Sequence, residues 1–337
     1  MSATQSIPGF DALVLGASGY GGGELLRWLL QHPGMNTLQG TARTHAGRPF
    51  HALHPNLRGL LEGSFDAEPD WEALSKSECP VVFSALPHGE LAARLPHFEE
   101  AWLRLGFSER LTVIDLSADF RWRPGWTYGL SEWKPERLKS ARRIANPGCF
   151  ATALQLALLP FADLKPAFAA VTAITGSSGS GAHPSDTTHH PVRAHDFRAY
   201  KPLAHQHETE VLATLSAEGW SPELAFTPHS APLVRGLFAT AQLRLETPLE
   251  ETALAHRFDH VLSGGAVRRV EGSPSVAAVT GSPFADLSFA MKGSWVSVMV
   301  ALDNLGKGMA TQAIQNLNLA LGYPSMTGLR SAGPYPG

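Results

Sequence analysis

The chain has 337 residues, of which 44% are hydrophobic and 17% charged, and its formal net charge at pH 7 is −3. This length predicts two domains of ordinary size. The charge balance gives no electrostatic reason to expect binding to nucleic acid or to an anionic membrane surface. Two cysteines are too few for a disulfide framework, and neither a signal peptide nor a membrane-spanning apolar run is recognisable, so we expect a cytoplasmic protein.

The first motif is a glycine-rich turn between a predicted strand and a predicted helix. An apolar run at residues 11–15 leads into Gly-Ala-Ser-Gly-Tyr-Gly-Gly at residues 16–22, and an amphipathic helix follows. This order is typical of dinucleotide-binding βαβ units, in which glycines let the backbone approach a pyrophosphate at the helix N-terminus. The spacing, G-x-x-G-x-x-G, differs from the commonest fingerprint. The cofactor contacts predicted here are Gly16, Ser18, Gly19, Tyr20 and Gly22.

The end of the second predicted strand indicates which dinucleotide is bound. An Asp or Glu at this point binds the ribose 2′-hydroxyl, whereas a cation accommodates a 2′-phosphate. The candidates here are Thr41 and Arg43, and the neighbouring sequence carries no acidic residue. The pattern therefore favours NADP over NAD, although a solvated surface arginine would give the same pattern.

Two further buried strands are predicted near residues 80–86 and 111–117, and helix-length segments separate the strands. This alternation predicts a doubly wound parallel sheet, whose ligands gather at the carboxyl ends of the strands. We therefore expect Ser84 and Pro87 near the cofactor. Arg121 is a candidate for the substrate site because a guanidinium suits a carboxylate or a phosphate.

Cys149 is a candidate nucleophile. It follows Asn-Pro-Gly and precedes an apolar run that predicts a helix. The unpaired N–H groups and the dipole at a helix N-terminus favour the thiolate over the thiol. The alternative is a small apolar residue buried in a helix.

The second half of the chain predicts a mixed or antiparallel sheet, with strands at residues 169–175, within residues 233–245 and at residues 295–302. The first of these runs into Gly-Ser-Ser-Gly-Ser-Gly at residues 176–181, which is either a phosphate-holding loop or a plain flexible loop. A basic, His-rich span follows at residues 189–207. No cysteine lies at zinc spacing there, so the span predicts an anionic substrate and a general acid/base rather than a metal site.

Seven segments together make the chain similar, nearly from end to end, to the N-acetyl-γ-glutamyl-phosphate reductase family. The segment Asn-Pro-Gly-Cys-Phe-Ala-Thr-Ala at residues 146–153 is highly specific to that family, whereas the glycine motif is not. The others lie at residues 16–22, 85–89, 115–121, 176–181, 205–211 and 303–308.

The resemblance implies an α/β fold of the aspartate-semialdehyde and glyceraldehyde-3-phosphate dehydrogenase type. We expect an N-terminal NADP-binding Rossmann domain at residues 1–148 and an α/β substrate and dimerisation domain at residues 149–305. A C-terminal helix within residues 306–337 is expected to return to the Rossmann domain. The resemblance also implies a homo-oligomer, a dimer or a tetramer.

The reaction implied is the NADPH-dependent reductive dephosphorylation of an acyl phosphate to a semialdehyde. Cys149 would attack the acyl carbon and form a thioester, and its backbone N–H would stabilise the oxyanion. The family pattern offers His205 or His207 as the acid/base; we favour His205, with His207 and Glu210 positioning the substrate. The other implied contacts are Arg121 to the substrate carboxylate, Ser177, Ser178 and Gly179 to its phosphate region, and Asn304 to the nicotinamide amide.

Departures from the family pattern bear on the substrate. The usual His-Arg-His is His-Gln-His at residues 205–207, and the segment after Arg121 looks shorter than usual. Residues 54–59, 189–193 and 200–202 are similar to the sister enzymes of lysine biosynthesis, which reduce an α-aminoadipyl 6-phosphate attached to an acidic amino-group carrier protein. We predict this substrate, with N-acetylglutamyl 5-phosphate of arginine biosynthesis as the alternative. A non-catalytic NADP-binding regulator is the rival of a different class.

Overall fold

The structure is a computed structural model that describes residues 9–335, apart from the side chains of residues 260 and 261. The chain divides into two compact units, and each is formed by two stretches of sequence. The first unit comprises residues up to Pro147 together with Ala310–Arg330, and the second comprises Gly148–Met309 together with the residues from Ser331 onward.

The first unit is built on a parallel six-stranded sheet in the order β2-β1-β3-β4-β6-β5. Its central strands are almost entirely buried because helices cover the sheet, and apolar runs of this kind are typical of parallel sheets. This is the Rossmann architecture that the sequence predicts. The elements are β1 (Phe10–Leu15), α1 (Tyr20–Leu29), β2 (Met35–Thr41), α2 (Trp71–Ser75), β3 (Pro80–Ser84), α3 (Glu90–Arg104), β4 (Thr112–Asp115), β5 (Thr127–Tyr128) and β6 (Arg143–Ala145).

The second unit is built on a mixed seven-stranded sheet in the order β11-β12-β13-β10-β7-β9-β8. Strand β7 is parallel to β9 and antiparallel to β10, and β13 is antiparallel to both β10 and β12. The elements are α4 (Cys149–Leu158), β7 (Phe168–Thr175), α5 (His190–Arg193), β8 (Arg198–Ala199), α6 (Gln206–Ala217), β9 (Glu223–Ser230), β10 (Leu237–Arg244), α7 (Glu251–Val261), β11 (Val267–Arg269), α8 (Val276–Val279), β12 (Ala285–Lys292) and β13 (Trp295–Leu302).

The two faces of this sheet differ. Helices α4 and α6 pack on one face, where the alternate strand residues are buried. The residues of the other face are partly exposed, and apolar side chains stand among them: Ile174, Phe238 and Met299.

The last helix, α9 (Thr311–Leu321), belongs to the first unit. Three of its polar side chains bind distant segments: Gln312 donates to the Gly129 carbonyl, Asn316 donates to Asn146, and Asn318 accepts from His32. A π-helical turn at Gly306–Ala310 precedes it. No helix within the described part of the chain is long and apolar enough to cross a membrane.

Candidate active site

The glycine turn of the first unit joins β1 to α1. Gly16 has a φ of +73°, and a Cβ there would lie 2.7 Å from the Ala85 carbonyl oxygen. At Gly22 a Cβ would lie 2.5 Å from the Ala17 Cα, so neither position tolerates a side chain. Helix α1 begins after Gly19, which has no side chain to cap it, and its first turn is Tyr-Gly-Gly-Gly. The first-turn N–H groups are therefore suited to bind an anion such as a dinucleotide pyrophosphate.

The neighbouring strand ends surround this turn. The Thr41 carbonyl at the end of β2 accepts the Ala17 N–H at 2.9 Å, and the Thr41 side chain is buried. Ser84, the last residue of β3, is buried, and the Ala85 N–H donates to the Leu15 carbonyl at 2.9 Å. Of the other predicted contacts, Ser18 and Gly19 are half-buried in the turn, and Tyr20 and Pro87 are exposed.

Arg43 lies exposed just beyond β2 and forms an ion pair that sequence reasoning missed. Its Nε donates to Glu68 Oε1 at 2.6 Å, and Arg94 Nη2 donates to Glu68 Oε2 at 2.7 Å. An acidic residue 25 positions downstream therefore reaches this site, although none is near in sequence. Two guanidinium groups share one carboxylate, so the local charge remains positive, as a 2′-phosphate requires.

The Arg121 side chain donates hydrogen bonds to two backbone carbonyls, one of them in the segment that precedes Cys149. Its Nε donates to the Asn146 carbonyl at 2.9 Å, and its Nη2 donates to the Leu116 carbonyl at 3.2 Å. Burial raises the pKa of the nearby Asp115 to about 6, although two hydrogen bonds from Ser117 oppose that shift. The predicted contact of Arg121 with a substrate carboxylate remains a prediction.

Cys149 is the first residue of α4 in the second unit. Gly148, its N-cap, has no side chain to cap the helix, and the rest of α4 is buried whereas Cys149 is half-buried. Gly148 is tightly surrounded, because a Cβ at this residue would lie 2.1 Å from His207 Nε2. Cys149 thus combines partial accessibility, a helix N-terminus and an imidazole beside the preceding residue, the setting of a reactive cysteine.

One face of α6 holds the start of α4 in place. The Gly148 N–H donates to Glu210 Oε1 at 3.0 Å, and Gln155 Nε2 donates to Thr214 Oγ1 at 2.8 Å. His207, Glu210 and Thr214 are spaced three and four residues apart, so they point the same way from α6. Glu210 therefore supports the backbone next to Cys149, a contact different from the substrate contact that the sequence suggests.

His205 caps α6 through its ring. Its Nδ1 accepts the His207 N–H at 3.2 Å, so a hydrogen on the neutral ring is placed on Nε2. Burial, and secondarily the charge of Lys201, lowers the pKa of His205 to about 4. His205 is therefore neutral at physiological pH.

Aromatic side chains that the sequence did not single out enclose the two histidines. Phe150 lies 5.4 Å from the His205 ring and 6.0 Å from the His207 ring between centroids, and Phe226 lies 5.6 Å from His205. Tyr200 makes an edge contact with His205 at 5.7 Å. Burial raises the pKa of Tyr200, and the neighbouring Cys149 raises it further. The Tyr200 hydroxyl, which lies close to the thiol, therefore stays protonated.

The Gly-Ser loop after β7 is not an open anion nest. The N–H groups of Gly176, Ser177 and Ser178 donate to the carbonyls of residues 236, 233 and 234. Because these amides are already hydrogen-bonded, an anion bound at this loop would contact the half-buried Ser177 hydroxyl instead. Gly179 is exposed. Asn304 is buried against this loop: its Nδ2 donates to Ser178 Oγ at 2.9 Å, and its Oδ1 accepts the Gly236 N–H at 2.7 Å. Its contact with nicotinamide remains a prediction.

A buried carboxylate organises the π-helical turn beside Cys149. Asp303 Oδ1 accepts the N–H groups of Leu305 and Gly306, and Oδ2 accepts Arg235 Nε at 3.0 Å. This turn carries Gly308, where a Cβ would lie 2.7 Å from the Cys149 Cβ. Among the side chains that the structure describes, no three His, Cys, Asp or Glu residues are grouped as a metal ion would need.

Comparisons with known proteins agree with both units. Residues 11–141 match the semialdehyde dehydrogenase NAD binding domain, and residues 149–304 match the semialdehyde dehydrogenase dimerisation domain. Among solved structures, aspartate semialdehyde dehydrogenase II from Vibrio cholerae superposes with a TM-score of 0.70 at 18% identity, covering 92% of this chain and 98% of that one. This confirms the predicted fold class.

Curated relatives are much more similar in sequence. N-acetyl-gamma-glutamyl-phosphate reductase from Methanocella arvoryzae is 36% identical and covers 96% of this chain and 98% of its own. A putative [LysW]-L-2-aminoadipate/[LysW]-L-glutamate phosphate reductase from Caldivirga maquilingensis is also 36% identical, covering 96% and 99%. With this identity over nearly the whole of both chains, the protein belongs to the family of N-acetyl-γ-glutamyl-phosphate reductases and their aminoadipate/glutamate phosphate reductase relatives, within the semialdehyde dehydrogenases.

Proposed function

We propose that the protein is an NADPH-dependent reductase that converts an acyl phosphate to a semialdehyde through a thioester on Cys149. The observation that carries the proposal is Cys149 itself, half-buried at the start of α4, with His207 against the preceding residue. The glycine turn of the first unit fits the dinucleotide, since its backbone is kept free of side chains at Gly16 and Gly22. Arg43 would hold the 2′-phosphate.

In the first half-reaction, the Cys149 thiolate attacks the acyl carbon and the carbon–oxygen bond to phosphate breaks. The N-terminal amides of α4, including that of Cys149, stabilise the oxyanion. Bound NADPH supplies the hydride that reduces the thioester. The thiolate is then released as the aldehyde forms, and a histidine moves the proton at the carbonyl oxygen.

The geometry favours His207 over His205 for this proton transfer. Burial lowers the pKa of His205 to about 4, so little of its protonated form is present near pH 7, and its Nδ1 is already engaged in the capping bond. His207 Nε2, by contrast, lies against Gly148, next to the nucleophile. We expect His207→Asn to lower kcat by about 10²–10⁴-fold, and we expect His205→Asn mainly to destabilise the start of α6.

We propose that the acyl phosphate is the carrier-bound α-aminoadipyl 6-phosphate. The segment before His205 exposes Lys201 together with two apolar side chains, Phe197 at 58% and Leu203 at 63% exposed. A surface that joins basic and apolar groups suits an acidic protein partner. Free N-acetylglutamyl 5-phosphate remains the alternative substrate.

Two measurements test these assignments. Cys149→Ala should abolish NADPH oxidation while leaving NADPH binding intact, and normal turnover by that variant would refute the thioester mechanism.

Carrier-bound and free acyl phosphates are then compared as substrates. Lys201→Glu should lower kcat/KM for the carrier-bound substrate alone, whereas Lys139→Glu, an exposed lysine of the first unit, should change neither value. Equal use of the free substrate by the wild type would favour the arginine-branch reaction.

We further propose that the protein is a homodimer joined through the half-exposed face of the mixed sheet. The side chains of this face include Ile174, Phe238 and Met299, and a second copy would bury them. Thr240, which pairs with Met299 across β10 and β13, lies among them. Thr240→Arg should shift the mass measured by light scattering from dimer to monomer.

A further inference from the structure

Residues 44–66 lie in the connection from β2 to α2, after Arg43, and have no part in the cofactor contacts described above. Short 3-10 turns at Phe50–Ala52 and Pro55–Leu57 enclose His54, which is only 8% exposed. The end of the segment is fixed to β2, because the Asp66 N–H donates to the Gly40 carbonyl at 3.0 Å. This connection thereby holds a buried histidine close to the glycine turn.

His54 makes two contacts with the glycine turn. Its Nε2 lies 2.8 Å from the Ala17 carbonyl oxygen, and since a carbonyl can only accept, Nε2 carries a hydrogen and donates it. The Cε1–Nδ1 edge of the ring faces α1: a Cβ at Gly23 would lie 2.5 Å from His54 Cε1 and Nδ1. Phe65 stands against the ring, with 6.0 Å between centroids. The imidazole is thus held between the loop and the first turn of the helix.

The first turn of α1 needs support from outside the helix. Three consecutive glycines follow Tyr20, and glycine is the poorest helix former after proline. Gly19, the N-cap, has no side chain with which to bind the first N–H groups. The conformation of this turn therefore depends on what packs against it.

We propose that His54 is a positioning residue for the dinucleotide: it fixes the Ala17 carbonyl and the Gly23 backbone, and so keeps the first-turn N–H groups of α1 aimed at the pyrophosphate. This inference rests on the proposed NADPH-dependent function. Because the pyrophosphate is common to NADPH and NADH, His54 acts on both dinucleotides alike. In this it differs from Arg43, whose proposed partner is the 2′-phosphate of NADPH alone.

The test compares two substitutions in the full-length protein by fluorescence titration with NADPH and with NADH. His54→Phe keeps a ring but removes the donor, and we expect the dissociation constants of both dinucleotides to rise about tenfold, the size of one buried hydrogen bond. His54→Gln keeps an N–H donor near the position of Nε2 and should restore most of the affinity. Gly23→Ala should weaken binding as well, although alanine is the better helix former.

His32 provides the matched control, because it lies beyond the other end of α1, is 3% exposed and has its Nε2 2.8 Å from Asn318 Oδ1. His32→Phe should lower the melting temperature without changing either dissociation constant. In the absence of dinucleotide, the rate at which iodoacetamide alkylates Cys149 should be the same in every variant.

Unchanged dinucleotide affinity in His54→Phe would overturn the inference, and so would an equal loss of affinity in His32→Phe or in His54→Gln. Failure of the wild type to bind NADPH would instead refute the proposed function, so the two failures are distinguishable.

Discussion

The contact between Gly308 and Cys149 makes the position of the nucleophile sensitive to a single methyl group. In Gly308→Ala the new Cβ would lie 2.7 Å from the Cys149 Cβ and 3.2 Å from the Cys149 Cα. Carbon atoms in contact normally stand about 3.5–4.0 Å apart. The start of α4 must therefore move by about 1 Å, a displacement that can cost about 10²-fold in rate when it misplaces a reacting group.

The assay is the initial rate of NADPH oxidation at saturating acyl phosphate, together with the rate of Cys149 alkylation by iodoacetamide. We expect Gly308→Ala to lower kcat by about 10²-fold and to change the alkylation rate. Crowding a packed site also costs about 1–3 kcal/mol of unfolding free energy, so thermal unfolding is measured in parallel. Binding of NADPH should change little, since the proposed contacts of its pyrophosphate and its 2′-phosphate lie in the first unit.

Gly306→Ala is the matched control in the same turn. Its Cβ would lie 2.6 Å from the Ser282 carbonyl oxygen and not against Cys149. It should therefore destabilise the fold to a similar extent with a much smaller loss of kcat. A kcat for Gly308→Ala within twofold of the wild type, or equal losses in both variants, would refute the reasoning.

Three other predictions follow from the described contacts. Glu210→Ala removes the acceptor of the buried Gly148 N–H and should cost about 1–3 kcal/mol of unfolding free energy, whereas Glu210→Gln, which keeps an oxygen, should cost less; equal losses in denaturant titrations would contradict this. Arg43→Ala should raise the dissociation constant of NADPH and leave that of NADH unchanged, which fluorescence titration can check. Acidification from pH 6.5 to 4 should lower the free energy of unfolding, because histidines of the unfolded chain bind protons in this range whereas the buried histidines of the folded protein do not. Each such histidine lowers the free energy of unfolding by at most about 1.4 kcal/mol per pH unit. The histidines whose pKa values burial lowers are His32, His54 and His205.

Asp115 opposes this trend. Its pKa in the folded protein, near 6, is above its usual value, so the stability that protonated Asp115 contributes at low pH is lost as the pH rises from about 4 to 6. Denaturant titrations at pH 7, 6 and 5 measure the net slope. A free energy of unfolding that stays level or rises on acidification would contradict the assignment. His32→Phe removes one of the three histidines, so the free energy of unfolding of this variant should depend less steeply on pH.

Local signals were sufficient for much of the fold. The strand before Gly16 and the helix that Cys149 begins were predictable because apolar periodicity, glycine and proline act within a few residues of one another. Strand β12 was not predicted. It carries polar residues, Asp286 and Ser288, at buried positions, where Arg268 pairs with the aspartate.

The site was less predictable, because its contacts join residues that are far apart in the chain. The bond between Asn304 and Ser178 spans 126 positions, and the ion pair of Arg43 with Glu68 spans 25. The closeness of Tyr200 to Cys149 had only an indirect signal, its place in the His-rich span. Burial was equally invisible in the sequence, so the lowered pKa of His205 that it causes could not be predicted.

The first unit is assembled from two stretches of chain, so its folding cannot be completed until the second stretch has been synthesised. Residues Ala310–Arg330, which complete it, are synthesised after the 162 residues, Gly148–Met309, that separate them from Pro147. At about 5–20 residues per second, the nascent Rossmann sheet waits about 10–40 s for its last helix. During that interval Gly129, Asn146 and His32 lack the partners that α9 supplies, so the first unit completes its folding only when the chain is nearly finished.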